Sequence, residues 1–205
     1  MITPFDTARA RRVTPGCDER IHLNNAGAAL MTRRVLDAQI EHLELEGRIG
    51  GYEAADARTD EIAAVYGSLG ALIGAPAEQV AVVENATVAW NQAFGSVPLA
   101  EGDTVITGEV EYGANYVSLL KAVKERGIEI LVAPSDASGQ VDVDGLAGLI
   151  DGRTRLIAIT HVPTNGGLVN PAAAIGEVAR RAGVPYLLDC AQSTGQIALD
   201  VEALG

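Results

Sequence analysis

From residue 80 onward the sequence alternates between short β-rich apolar runs and stretches of helical periodicity, which restricts the chain to few folds. Val80–Val83, Thr104–Thr107, Ile128–Val132, Arg155–Thr160 and Pro185–Leu188 read as strands. Thr87–Phe94, Asn115–Arg126 and Asp142–Ile150 read as the helices between them. The last helix has Ile175, Val178 and Ala182 on one face, Asn170 as its expected cap, Pro171 at its first position and Gly183 as its stop. Strand–helix–strand repetition requires right-handed parallel crossovers, so the expected fold is α/β, a mostly parallel sheet with helices on both faces. Upstream, residues 31–49 and Asp60–Ile73 carry helical spacing. Residues 1–20 are polar and read as an arm, with one large domain over residues 21–205.

Composition narrows the function. Fifteen basic against 27 acidic residues give a net charge of −12, the wrong sign for a nucleic-acid groove or an anionic membrane surface. No apolar run reaches the ~18 residues of a membrane helix. Cys17 and Cys190 are far apart in sequence, which fits a reducing, cytoplasmic setting. The three histidines, His22, His42 and His161, form no compact ligand set, so no metal site is expected. GxGxxG, GxxxxGK[ST] and GxSxG are all absent, which weighs against a Rossmann-type nucleotide domain.

In an open parallel sheet, ligands bind beyond the carboxyl ends of the strands. The residues that follow the apolar runs are Glu84-Asn-Ala-Thr87, Glu109 to Tyr112, Thr160 to Asn165, and Asp189. Ala86-Thr87, at a strand-to-helix transition, can bind an anion through free N–H groups, or Asn85 and Thr87 can simply cap the helix. Asp189 can cap a turn, bind a ribose hydroxyl or a metal, or pair with a ring nitrogen. Cys190, its neighbour on an extended strand, points to the other face and reads as a core thiol.

Five segments in order resemble the class V aminotransferase family of pyridoxal phosphate (PLP) enzymes. They are Leu23-Asn-Asn-Ala-Gly27, Glu84-Asn-Ala-Thr87, Glu111-Tyr-Gly-Ala-Asn115, Thr160-His-Val-Pro-Thr164 with Gly167 and Asn170-Pro171 behind it, and Asp189-Cys-Ala-Gln-Ser193. The resemblance runs from Ile21 to Gly205 and implies the large domain of the fold type I PLP-dependent transferases. By resemblance, Asp189 pairs with the protonated pyridine nitrogen and Gln192 with the phenolic oxygen. Ala86 and Thr87 hold the phosphate, Tyr112 stacks on the ring, Thr164 lies near the phenolic oxygen, and Asn25 and Ala26 belong to the substrate segment. Asp189, Tyr112 and Gln192 are thus the expected catalytic group.

The resemblance also implies an amino-acid substrate and a homodimer. Family members that are cysteine desulfurases carry histidine where this chain has Tyr112. A phenol with a pKa near ~10 is a poor base at neutral pH, which shifts the expectation to C–S bond cleavage by β-elimination, with an aminotransferase, an epimerase or a cysteine desulfurase/selenocysteine lyase as the alternatives within the family. The family's Schiff-base lysine lies about 25 residues beyond the aspartate, by resemblance, whereas Lys121 and Lys124 read as solvated helix charges. The expectation is therefore an N-terminal portion of such an enzyme that lacks the C-terminal small domain, with a non-catalytic binding module as the alternative of another class.

Overall fold

The computed structural model describes residues 5–205 and divides into two compact units, Met1–Val65 and Tyr66–Gly205. The first unit holds α1 (Thr7–Arg12), α2 (Gly16–Glu19), α3 (Arg33–Ile49), α4 (Gly51–Ala57) and the start of α5 (Thr59–Ile73). Two short helices thus occupy the sequence read as an arm. Asp6 caps α1 by accepting from the Arg9 N–H at 2.8 Å. Between α3 and α4 the chain turns at Gly50, whose φ of 98° suits a residue without a side chain.

The second unit is built on four parallel strands: β1 (Thr104–Thr107), β2 (Glu129–Val132), β3 (Thr154–Thr160) and β4 (Tyr186–Asp189), in the order β2-β1-β3-β4. Its helices are α6 (Ala86–Ser96), α7 (Gly113–Arg126), α8 (Val143–Gly148), α9 (Ala172–Ala182) and α10 (Val201–Leu204). The period-two alternation of strand side chains sorts the core into two layers. Val105, Leu156, Ala158 and Leu187 face Trp90 and Phe94 of α6 and Leu119 and Ala122 of α7. Ile106, Ile157, Ile159 and Leu188 face Leu146 of α8 and Ile175 and Ala179 of α9. The central strands β1 and β3 are buried on both faces, and their apolar runs were legible for that reason.

After β1 the chain crosses by α7 to β2. It then returns over the opposite face by α8 to β3, on the far side of β1. The order therefore reverses between β1 and β3, the place beyond which open α/β sheets bind their ligands.

Two sequence expectations need correction. Val80–Val83 forms no ladder. It follows a short 3-10 turn at Ala77–Gln79 as extended chain, and Val82 is 51% exposed. β-branched composition favours a pleated surface, but without a neighbouring strand it does not make one. Asn170 does not cap α9 with its side chain; Pro171 occupies the cap position. Its amide is instead buried, donating to the Thr160 carbonyl at 2.8 Å and accepting from the Val141 N–H at 3.0 Å. Gly183 does end α9, in the left-handed region at φ 66°.

Candidate active site at the strand ends

Asp189 is the last residue of β4, paired in register with Thr160 at the end of β3. It shares the face of Leu187, towards α6 and α7. Its Oδ2 accepts from Asn115 Nδ2 at 2.7 Å and its Oδ1 from the Ala191 N–H at 2.9 Å. Each carboxylate oxygen keeps a further lone pair, so the half-buried side chain can still accept from a ligand N–H. Asn115 lies in the first turn of α7, three residues after Tyr112, so Tyr112 is within one helical turn of the Asp189 partner. The Tyr112 side chain is 48% exposed.

Glu111 accepts twice from Thr160, from its N–H at 2.9 Å and from its hydroxyl at 2.5 Å. Burial pushes the Glu111 carboxyl above its ordinary pKa, against the lowering effect of these bonds, and nearby Asp189 adds to the rise. Beyond β3, His161 is buried, with Nδ1 3.0 Å from Ser193 Oγ. Desolvation holds the His161 imidazole below its usual pKa. The Ser193 hydroxyl also donates to the Cys190 carbonyl at 3.3 Å, so the turn carrying Gln192 is fixed on the end of β3. Gln192 is half-buried, and Thr164 is exposed in the loop after β3.

The first turn of α6 also lies at this end of the sheet. Asn85 caps it by accepting from the Val88 N–H at 3.0 Å. Helix geometry leaves the Ala86 and Thr87 N–H groups without intrahelical acceptors. The cap reading of Asn85 is thus observed, and the two N–H groups that follow it remain without intrahelical acceptors. Asn91 donates to the Thr87 carbonyl and accepts from Ser118 Oγ of α7, tying the two helices at the same depth. Asn91, Phe94 and Gly95 of α6 also share a 490 Å³ hollow with Ser118, Ala122 and Arg126 of α7, so the helices run side by side in one direction. The start of α6 thus lies at the same end as Tyr112 and Asn115.

Asn25 and Ala26 lie in the first unit, both exposed, and Asn25 lines a 470 Å³ hollow there with Thr14, Cys17, His22 and Leu30. Lys121 is exposed on α7 beside Glu125, at 4.0 Å, and Lys124 is exposed one turn from the helix end. Cys190 is half-buried rather than sealed in the core. It lines a 460 Å³ apolar hollow with Tyr186, Leu188 and Leu204, on the opposite side from Asp189, and burial pushes its thiol pKa up. Among the described residues no group of three His, Cys, Asp or Glu could hold a metal.

Sequence reading did not assign Glu111, Asn115, Thr160, His161 or Ser193 individual roles, although each lies in a segment the resemblance named. Their common signal is position: all follow or end a strand at the carboxyl edge.

An acceptor-only carboxylate, a helix start with free N–H groups and the exposed Tyr112 side chain gather at one end of the sheet. The fold and this set define a coenzyme-binding α/β enzyme domain. The chain belongs to the aminotransferase class-V family, which it matches over residues 21–205. It is 28% identical over 203 residues to a probable cysteine desulfurase of Methanothermobacter thermautotrophicus, covering 97% of this chain and 50% of that relative. It is 34% identical over 193 residues to a cysteine desulfurase of Yersinia pestis, covering 90% of this chain and 47% of that one.

Among solved structures, the apo cysteine desulfurase of Thermococcus onnurineus superposes with a TM-score of 0.89 at 21% identity, over 100% of this chain and 52% of that one. A C-DES mutant with glycine covalently linked to its PLP cofactor gives 0.87 at 23% identity, over 98% and 53%. These two likenesses establish the fold. The chain spans about half the length of the relatives it matches. Among the described residues no helix is long and apolar enough to cross a membrane.

Proposed function

We propose that residues 21–205 act as the PLP-binding large domain of an enzyme that cleaves a C–S bond of an amino acid by β-elimination, with residues 1–20 as an arm. The observation that carries the reading is Asp189, presented at the end of β4 with both oxygens oriented and lone pairs to spare. When bound, PLP supplies an electron sink for the carbanion formed at the substrate Cα, and a protonated ring nitrogen strengthens that sink. Asp189 holds the ring nitrogen in its protonated state. Ala86 and Thr87 bind the phosphate through N–H groups and the Thr87 hydroxyl, and Tyr112 covers one ring face. Gln192 and Thr164 donate to the phenolic oxygen, and Asn25 and Ala26 belong to the substrate segment.

Tyr112 favours elimination, because it stands where the cysteine desulfurases of the family carry a proton-handling histidine. The relatives named cysteine desulfurase favour a second reading, desulfuration of cysteine, in which the sulfur passes to a protein thiol. Cys190 is poorly suited to that step, since its raised pKa leaves little thiolate. A homodimer in the cytoplasm completes the proposal. Tyr116, Val117, Leu120 and Val123 leave an apolar face on α7 for such an association.

PLP titration of the 205-residue chain, followed by absorbance, tests coenzyme binding. Asp189→Ala should weaken it by about a hundredfold, as expected for removing the partner of a cation. Equal affinity in wild type and variant refutes the ring-nitrogen role. Borohydride should fix no PLP on Lys121 or Lys124. For the protein purified from its source, incubation with cysteine or cystine separates the reactions: elimination yields pyruvate and ammonia, desulfuration yields alanine.

A further inference from the structure

The segment Glu111–Asn115 is fastened at both ends to two adjacent strands. At one end, the Glu111 carboxylate takes both polar hydrogens of Thr160, the last residue of β3. At the other, Asn115 donates to Asp189, the last residue of β4. Just before this segment, Ser135 donates to Glu109 at 2.6 Å, a third tie on the same loop. Asn115 and Thr160 are buried, at 2% and 4% exposure, so these bonds form away from water and their loss leaves polar groups stranded. Between the ties, the Tyr112 side chain makes no cap bond, and its backbone carbonyl accepts from the Tyr116 N–H at 3.1 Å to open α7. The Tyr112 backbone is therefore held between two fastened residues.

Thr160 is fixed in turn. Its carbonyl accepts from Asn170, whose Oδ1 accepts from the Val141 N–H. The Glu111 tie thus ends on a braced strand terminus and spans β1 to β3, where the strand order reverses.

We propose that Glu111 and Asn115 are positioning residues that hold the Tyr112 backbone at the strand ends and so fix where its ring is presented at the site of Asp189. The identity of the ligand beneath that ring rests on the PLP reading above; the fastening does not. Glu111 acts through Tyr112 and touches no reacting atom. Asn115 has a second effect, because it also orients the Asp189 carboxylate. Glu111 is therefore the cleaner residue to test.

The experiment pairs a ligand-free readout with a ligand-bound one, on the 205-residue chain. Hydrogen exchange of peptides spanning residues 108–118 reads the fastening without PLP. Glu111→Ala removes both bonds to Thr160 and should speed exchange at 116–118, where the helix bonds of α7 begin, by about tenfold or more. Glu111→Gln should restore it, because the amide oxygen still accepts from the Thr160 N–H and the amide NH2 can donate to the hydroxyl oxygen. Unchanged exchange in Glu111→Ala, or failure of Gln to rescue, overturns the proposal.

With PLP, Glu111→Ala should weaken binding by about tenfold in the wild-type background and by less than about twofold in Tyr112→Ala, since coupled residues do not add. Equal losses in both backgrounds show that Glu111 acts independently of Tyr112 and overturn the proposal. If the wild-type chain takes up no PLP, the functional reading fails, and the exchange result alone decides the fastening.

Discussion

Replacing Asn170 by serine and by aspartate separates two roles that its position permits. As a helix cap, either substitute would serve, because Ser and Asp are as good as Asn at that task. As a bridge, neither does. The structure shows Nδ2 donating 2.8 Å to the Thr160 carbonyl and Oδ1 accepting 3.0 Å from the Val141 N–H, and Asn170, Thr160 and Val141 are all at most 5% exposed. Serine is too short to reach both groups. Each stranded buried group costs about 1–3 kcal/mol, so Asn170→Ser should lose about 2–5 kcal/mol after partial relaxation. Aspartate keeps the acceptor for Val141 but sets an anionic oxygen against the Thr160 carbonyl, so Asn170→Asp should lose at least as much at neutral pH. Its carboxyl pKa is raised by that placement. The missing stability should therefore return as pH falls through the raised value, where the protonated acid again donates to Thr160. The assay is urea unfolding of the 205-residue chain at neutral and acid pH. Losses under about 0.5 kcal/mol for both variants, the size of an ordinary surface change, would show that the bridge is not what holds this corner.

Further outcomes follow from individual contacts. Gly176→Ala places a Cβ 1.8 Å from the Leu204 carbonyl oxygen, so α10 should leave α9, seen as faster exchange at 201–205 with the central strands unaffected; protected amides there would refute the close approach. Asp142 accepts from the Asp144 and Gly145 N–H groups at the start of α8, and Asp142→Ala should cost about 1 kcal/mol in the same urea assay. Glu111 has its folded pKa raised above the ordinary 4.5, so its contribution is fully present below that value and is lost as pH rises through the folded pKa. The stability of Glu111→Gln relative to wild type should accordingly climb with pH above 4.5, and a flat difference would refute the burial argument.

The parts of the fold legible in sequence were those specified locally. Parallel strands sealed on both faces must be apolar at every position, and Val105-Ile106 and Leu156 to Ile159 are. Gly183 announced the end of α9 because a left-handed residue is needed there. Val80–Val83 was misread because its composition satisfies the same test, while ladder formation depends on a partner strand that composition does not encode. Asn170 was misread because a cap and a bridge use the same amide, and only the fold decides which groups come within reach. Asp189 was legible as the acid that ends an apolar run. Its orientation was not, because Asn115 lies 74 positions away in sequence. Glu111 with Thr160, and His161 with Ser193, join positions 49 and 32 apart and were invisible for the same reason.

The same long-range pairs determine the electrostatics of the strand ends. Glu111 and Asp189 converge there, and their mutual repulsion adds to the burial that raises Glu111. None of the ion pairs among the described residues involves either acid; Arg58, Arg153, Arg155, Arg180, Arg181 and Lys121 pair with other carboxylates. Two carboxylates that gather with no ion-paired cation among the described residues favour a ligand that brings positive charge. On the coenzyme reading, the protonated ring nitrogen at Asp189 supplies that charge. Loading PLP should therefore lower the Glu111 pKa from its raised value, and Asp189→Asn should lower it in the free chain by removing the repulsion. Carboxyl-carbon NMR titration of Glu111, with and without PLP, measures both. A Glu111 titration indifferent to PLP would mean that the cation does not reach this end of the sheet.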